Sequence, residues 1–318
     1  MSDLNTTIPS GGEAPKKETQ INVRPTLFIG VGGTGMEVLM RLRRRILNNM
    51  WGNPGNRVHI DKLTEFPIAQ FIQLDLDSGA LIDSGRAQSE DLQFDQVKFT
   101  EEEKIIETFD LEKYSRDEDS LEKYPHVKEW LPLTPQVIAN LGIDPSKGAG
   151  QIRAISRLYF YDKYTKIRDK IRVKLRSLKS GLSHEADLER LGLKMELQKF
   201  RIVVVGSVAG GTGSGSFLDM GWLARWIAAN EVGSADVDLM LFLPTGFSTA
   251  NKVRTEANGY AALMELESAM RGNKSYVGRW DPHDRPVIDR EPYKEVFLID
   301  SGNLAQQHTK DIKDVYHM

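Results

Sequence analysis

The apolar run Arg201-Ile202-Val203-Val204-Val205-Gly206 leads through Ser207-Val208 into Ala209-Gly210-Gly211-Thr212-Gly213-Ser214-Gly215. Ser216-Phe217-Leu218-Asp219-Met220-Gly221-Trp222-Leu223 follows and reads as a helix. A strand, a Gly/Ser/Thr turn and a helix in that order make an anion site. Glycines let backbone N–H groups approach phosphate oxygens because no Cβ intervenes. Thr212 and Ser214 offer hydroxyl donors, and the helix start adds unpaired N–H groups at the positive end of its dipole. The competing reading is a tight turn that binds nothing. Four glycines in seven residues are entropically costly for a mere turn, which favours phosphate binding.

The chain has 318 residues, 40% hydrophobic and 27% charged, the composition of a soluble globular protein with length for one large or two smaller domains. A net charge of −3 gives no general attraction to nucleic acid or acidic membranes. The absence of cysteine excludes disulfides and thiolate metal sites. Six scattered histidines (59, 126, 184, 283, 308 and 317) form no i,i+4 pair. No apolar run approaches a transmembrane length, and the N-terminus lacks a signal-peptide core. The expected setting is the cytoplasm, of a bacterium by default.

Residues 1–24 are polar and read as a disordered tail. Thr26 to Val31 reads as a buried strand, followed by a helix from Met36 to about Asn49 with Val38, Leu39, Leu42 and Ile46 on its apolar stripe and arginines elsewhere. Ile68 to Leu74 is the next strand. Residues 78–147, with acidic runs and prolines, read as an insertion of helices and loops. A long helical pattern runs from Gly148-Ala149-Gly150 to about Lys179, and its stretch from Lys163 carries eight basic residues against one acid. That is a solvated helix face or, alternatively, a surface for an acidic partner. Strands follow at Phe200 to Gly206, Val237 to Leu243 and Glu295 to Asp300, with a helix at Thr255 to Met270 and a polar helix from near Leu304. In the helix after the glycine box, Leu218, Trp222, Trp226 and Ala229 are expected on one core-facing stripe. Strands alternating with helices predict an α/β fold: a parallel sheet with helices on both faces.

A second loop, Gly30-Val31-Gly32-Gly33-Thr34-Gly35, fits G-x-G-x-x-G and on its own suggests a dinucleotide fold. The acid that such a fold places about 20 residues on is here displaced to Asp75. Two glycine loops also exceed what one pyrophosphate requires, and suggest a phosphate chain gripped from two sides. No Walker A pattern occurs.

These residues resemble the tubulin/FtsZ superfamily. Gly210 to Gly215 resembles its glycine-box signature, with Ala209 in place of the first glycine. Phe28 to Gly35 resembles the first phosphate loop, Leu74-Asp75-Leu76-Asp77 the acidic loop after the third strand, and Gly148-Ala149-Gly150-Gln151 the γ-phosphate loop. Phe297 to Asn303 is similar to the junction with the central helix. All five occur in the family's order, across about residues 25–310. Met36 and Glu37 depart from the family pattern, and Glu37 would repel phosphate unless it is offset or turned to solvent.

The resemblance implies a Rossmann-like GTP-binding domain over 25–318. Gly32, Gly33, Thr34 and Gly35 would close over phosphates wrapped by Ala209, Gly210, Gly211, Thr212, Gly213, Ser214 and Gly215. Asp75 would belong to the nucleotide site, and Asp77 would hold Mg²⁺ through water or merely cap its loop. Gly148, Ala149, Gly150 and Gln151 would approach the γ-phosphate, with Arg153 either a charge partner or a surface ion pair. Glu256 and Asn258 would contact ribose and base. Asn303 would read guanine or simply cap a helix. The ligands implied are GTP/GDP and Mg²⁺, with self-association or a protein partner. The chain ends at Met318, inside the expected central helix, so the C-terminal activation domain and its hydrolytic acids would be absent. The expectation is a GTP-binding protein whose assembly is controlled by nucleotide, a GTPase only when completed from outside this chain. The alternatives are a non-polymerising nucleotide-binding scaffold and, last, an oxidoreductase.

Overall fold

The computed structural model describes residues 20–77, 94–106, 109–180, 185–196, 199–247, 252–272 and 275–302. In chain order the first elements are β1 (Ile21–Val23), β2 (Thr26–Val31), α1 (Gly32–Asn48), β3 (Ala69–Asp75), α2 (Phe94–Val97) and β4 (Lys104–Ile106). Helices α3 (Pro125–Lys128), α4 (Pro135–Asn140), α5 (Arg153–Asp162), α6 (Tyr164–Ser180) and α7 (Glu185–Arg190) follow, then β5 (Leu193–Met195). The remainder comprises β6 (Phe200–Ser207), α8 (Gly211–Glu231), β7 (Ala235–Phe242), α9 (Lys252–Met270), β8 (Tyr276–Val277), β9 (Val287–Ile288) and β10 (Glu295–Ile299).

The central sheet has six strands in the order β10-β7-β6-β2-β3-β4, and every pairing within it is parallel. Its inner strands are runs of Val, Ile and Leu, as a strand covered on both faces requires. Alternation sorts their side chains. Leu27, Ile29, Ile72, Ile202 and Val204 pack with Leu158, Ile167, Ile171, Phe217 and Leu223 from α5, α6 and α8. Phe71, Val203 and Val205 turn the other way, onto Met36, Leu39, Met40 and Ile46 of α1. The expected doubly covered α/β sheet is therefore present. Truncating a fully buried member such as Leu27 to alanine costs about 2–5 kcal/mol.

Several elements differ from expectation. α1 starts at Gly32, and its buried stripe includes Met36, Met40, Arg43 and Leu47, while Val38 and Leu42 are only half-buried. Arg43 is inside because it pairs with Glu103 at 3.0 Å and lies over the rings of Phe71 and Phe99. The expected insertion supplies a sheet edge strand, β4, and its Phe109, Leu111, Tyr114, Leu121 and Val127 join the same core cluster as the strands. The long helical pattern breaks at Lys163 into α5 and α6. In α8 the buried residues are Met220, Leu223, Ala224, Ile227 and Ala228. Trp222 and Trp226 are half-buried and Ala229 is exposed, because α8 packs between neighbours on two sides. Within the span expected as a tail, Ile21–Val23 is a strand that pairs in parallel with Leu193–Met195. The helix expected near Leu304 lies outside the described residues. Among the described residues no helix is long and apolar enough to cross a membrane.

The basic face of α6 is largely spent on internal partners. Arg172 and Arg176 pair with Glu231, and Lys170 donates to the carbonyls of Glu101 and Glu102. This favours the ordinary helix face over an acidic-partner surface.

Candidate anion-binding cleft

Chain order in the sheet runs outward from β2 to β3 and β4, then restarts on the other side with β6, β7 and β10. The carboxyl ends of β2 and β6 thus flank the reversal point, where open α/β sheets form a crevice. Both glycine loops lie there. Val31, Gly32, Gly33 and Thr34 from the first, with Ser207, Gly210, Gly211, Thr212 and Gly213 from the second, line one cleft.

Two helices begin at this cleft. The glycine box is itself the first turns of α8 and not a turn before the helix. Neither α1 nor α8 has a side-chain cap at its start, and neither has an acid in its first turn. The first N–H groups of both helices therefore lack intrahelical partners, and two positive dipole ends meet. Gly32 holds a φ of +74°, which a side chain would strain. A Cβ on Gly33 or Gly210 would meet nothing within 4 Å, so these two leave open room for a ligand. Gly35, Gly213 and Gly215 are glycines for another reason: a Cβ would collide with Val205 O at 2.6 Å, Ser207 O at 2.6 Å and Arg153 O at 2.3 Å respectively.

The hydroxyls do not act as expected. Thr212 is buried, and its Oγ1 donates to Asp75 Oδ1 at 2.9 Å. Ser214 is fully buried, away from the cleft. Ala209 is buried, and its N–H donates to Ser207 Oγ at 3.0 Å. Ser207, absent from the sequence-derived set, lines the cleft; its signal was its place between the strand and the box.

Asp75 sits beneath the loops as a latch. Its Oδ1 also accepts the N–H groups of Leu76 (2.7 Å) and Asp77 (3.2 Å), and its carbonyl accepts from the Tyr159 hydroxyl. Complete burial pushes its pKa up to about 6, against the lowering effect of these hydrogen bonds. Asp77 is half-buried and bridges to Lys147 through the backbone. Among the described residues no cluster of three His, Cys, Asp or Glu could hold a metal alone. Asp77 is not among the residues that line the cleft, and a single carboxylate is compatible with Mg²⁺ only as an ion that keeps most of its waters.

The loop Gly148-Ala149-Gly150-Gln151 lies against the start of α8: a Cβ on Gly211 would be 2.9 Å from Ala149 Cβ. Gly148, Gly150 and Gln151 all have positive φ. From α9, Arg254 Nη1 donates to Gly150 O (3.0 Å) and Asn258 Nδ2 to Gln151 O (2.8 Å). Asn258 thus engages the loop backbone. Glu256 is exposed beside Lys252, outside the cleft lining. Arg153 is also outside: it donates to Ser214 O and forms a two-pronged pair with Glu265. Glu37 pairs with Arg41 one turn along α1, so its charge is offset. Asn303 lies outside the described residues.

Among solved structures, CetZ from Methanosaeta thermophila strain DSM 6194 is similar at 14% identity, with 92% of this chain and 49% of that chain covered and a TM-score of 0.44. CetZ2 from Haloferax volcanii, as a GTPγS-bound protofilament, is similar at 13% identity, with 92% and 56% covered and a TM-score of 0.41. A W319Y mutant of FtsZ from M. jannaschii gives 15% identity, 79% and 45% covered, and a TM-score of 0.37. The chain spans about half the length of these structures. No curated protein matches it. The family model described as tubulin like matches residues 27–318, which takes in both glycine loops, the latch beneath them and the loop at 148–151, and the chain belongs to that tubulin-like family.

Proposed function

We propose that this chain binds GTP and GDP in the cleft between α1 and α8, and that the bound nucleotide controls its assembly with further copies or a protein partner. The observation that carries the reading is the pair of uncapped helix starts sharing one cleft. Such an arrangement stabilises a polyanion through backbone N–H groups alone. Family membership supports guanine as the base. In this reading Asp77 holds Mg²⁺ through water, the loop at 148–151 closes toward the γ-phosphate, and Asn303 pairs with guanine. When bound, Mg²⁺ offsets phosphate charge.

Among the described residues that line the cleft, none is an acid, histidine or lysine. This supports a cleft that binds phosphate without a side-chain base of its own lining to activate water. Hydrolysis in this reading requires acids supplied from outside the chain, and the isolated chain turns GTP over slowly or not at all. The same observation keeps open a second reading, a nucleotide-binding scaffold that does not polymerise.

The test is titration of GTP, ATP and NADH into wild type and Gly210→Val, with light scattering recorded alongside. A Cβ at position 210 has no neighbour within 4 Å, so the variant is expected to fold, which thermal melting checks, while its side chain takes up room in the cleft. GTP binding to wild type, lost in Gly210→Val, supports the site. Equal binding to both overturns it. Scattering that rises only with GTP favours nucleotide-controlled assembly; tight binding without scattering favours the scaffold.

A further inference from the structure

On the flank of α8 away from the phosphate cleft lies a second and far larger cavity of about 890 Å³. Its volume falls within the range of about 300–1,000 Å³ common for small-molecule sites. Helices α5, α8 and α9 and the chain around Trp130 and Tyr276 enclose it. The lining is rich in aromatic surface. Trp222 and Tyr276 stack face to face with ring centroids 3.7 Å apart, and Arg157 lies over the ring of Trp130 at 4.6 Å.

The charges are unevenly committed. Three guanidinium groups (Arg153, Arg157 and Arg271) and two carboxylates (Asp219 and Glu265) line the cavity. Asp219 is buried, and it accepts from Arg157, the Tyr276 hydroxyl and Trp280 Nε1. Glu265 is held by both prongs of Arg153. The acids are therefore spent. Arg157 uses Nε and Nη2, and among the described residues its Nη1 makes no hydrogen bond. Arg271, just past the end of α9, is exposed, and among the described residues its ion pair is with Glu267 in the last turn of that helix. Of the polar side-chain atoms buried without a hydrogen-bond partner among the described residues, Trp130 Nε1 and Ser214 Oγ belong to residues that line the cavity.

We propose that this cavity is a binding site for an aromatic anion, a flat apolar ring system bearing a carboxylate or similar group. The ring would lie against Trp130 and the Trp222–Tyr276 stack, where aromatic contacts add to area burial. The anionic group would take the uncommitted donors of Arg157 and Arg271, which suit planar two-oxygen acceptors. A cation is disfavoured because no lining carboxylate is left to receive it.

Calorimetric titration of the full chain with 2-naphthoate and with its neutral amide tests the proposal. Ser268→Trp would fill the cavity from an exposed position on α9, and Arg271→Glu would reverse its most exposed charge. The expected result is saturable one-to-one binding of naphthoate to wild type, roughly tenfold weaker for the amide and roughly tenfold weaker in each variant. Both substitutions fall on exposed residues, and thermal melting confirms their folding. No saturable binding, equal affinity for acid and amide, or variants that bind as wild type does would each overturn it.

Discussion

Asp75 is buried, with three donors on one oxygen. Its carboxyl nevertheless titrates near pH 6 in the fold, against an ordinary value of 3.8, because burial penalises the charge more than the donors relieve it. The folded protein therefore holds this proton more tightly than the unfolded chain does. The contribution of Asp75 to stability is full below the unfolded value, falls as pH rises from about 4 to about 6, and is level above; its loss is on the order of 3 kcal/mol. Urea denaturation across that range should show this slope in wild type and its absence in Asp75→Asn. A slope that survives the substitution would assign it to another group. Gly215 yields a purely steric prediction. Its Cβ would lie 2.3 Å from Arg153 O and 2.7 Å from Ser156 Cβ, so Gly215→Ala should cost about 1–3 kcal/mol by prising α5 from α8, read as a lower melting temperature. At this scale the sequence revealed where the glycines cluster, because strand, box and helix are contiguous. It hid why each is a glycine: Gly33 and Gly210 face open space while Gly35, Gly213 and Gly215 face backbone. It also hid the fate of the Thr212 hydroxyl, whose acceptor lies 137 residues away and is brought near only by the strand order.

Helix α9 holds the loop at 148–151 by two hydrogen bonds to consecutive carbonyls, from Arg254 and Asn258. The loop also carries three positive φ values, one on the non-glycine Gln151, a conformation that persists only when its surroundings enforce it. Removing both donors, in Arg254→Ala with Asn258→Ala, should speed amide exchange at 148–151 by about tenfold or more, since each bond contributes about 1 kcal/mol. Unchanged exchange would show that packing against Gly211 alone fixes the loop. The main strands were legible because their apolar runs are long and bounded by glycine or proline. β4 was not: three residues are too short to show a period, and its strand character comes from pairing with Gln73, Leu74 and Asp75. The tryptophans of α8 misled for a related reason. A helix buried on two sides has no single apolar stripe, and its largest residues fell at the edges of the buried arc, where Trp222 stacks on Tyr276.

As a whole, the molecule places its candidate anion cleft where six parallel strands reverse their order, so ligand binding there should be felt by the entire sheet. If GTP binds as proposed, nucleotide at about 100 times its Kd should stabilise the fold by about 2.7 kcal/mol. This corresponds to a rise of a few degrees in melting temperature, absent in Gly210→Val. A rise of equal size in that variant would place the nucleotide elsewhere. The doubly covered architecture followed from alternating strand and helix patterns, whereas the large cavity did not, because it is assembled from helices far apart in the chain. The cleft and that cavity share α8: Gly210 to Gly213 line the cleft, and Ser214, Gly215, Leu218, Asp219 and Trp222 line the cavity. One stiff rod is thus the party wall of two rooms. Should a guest on one side alter that wall, thermodynamic reciprocity requires a guest on the other to alter the first one's affinity by the same factor.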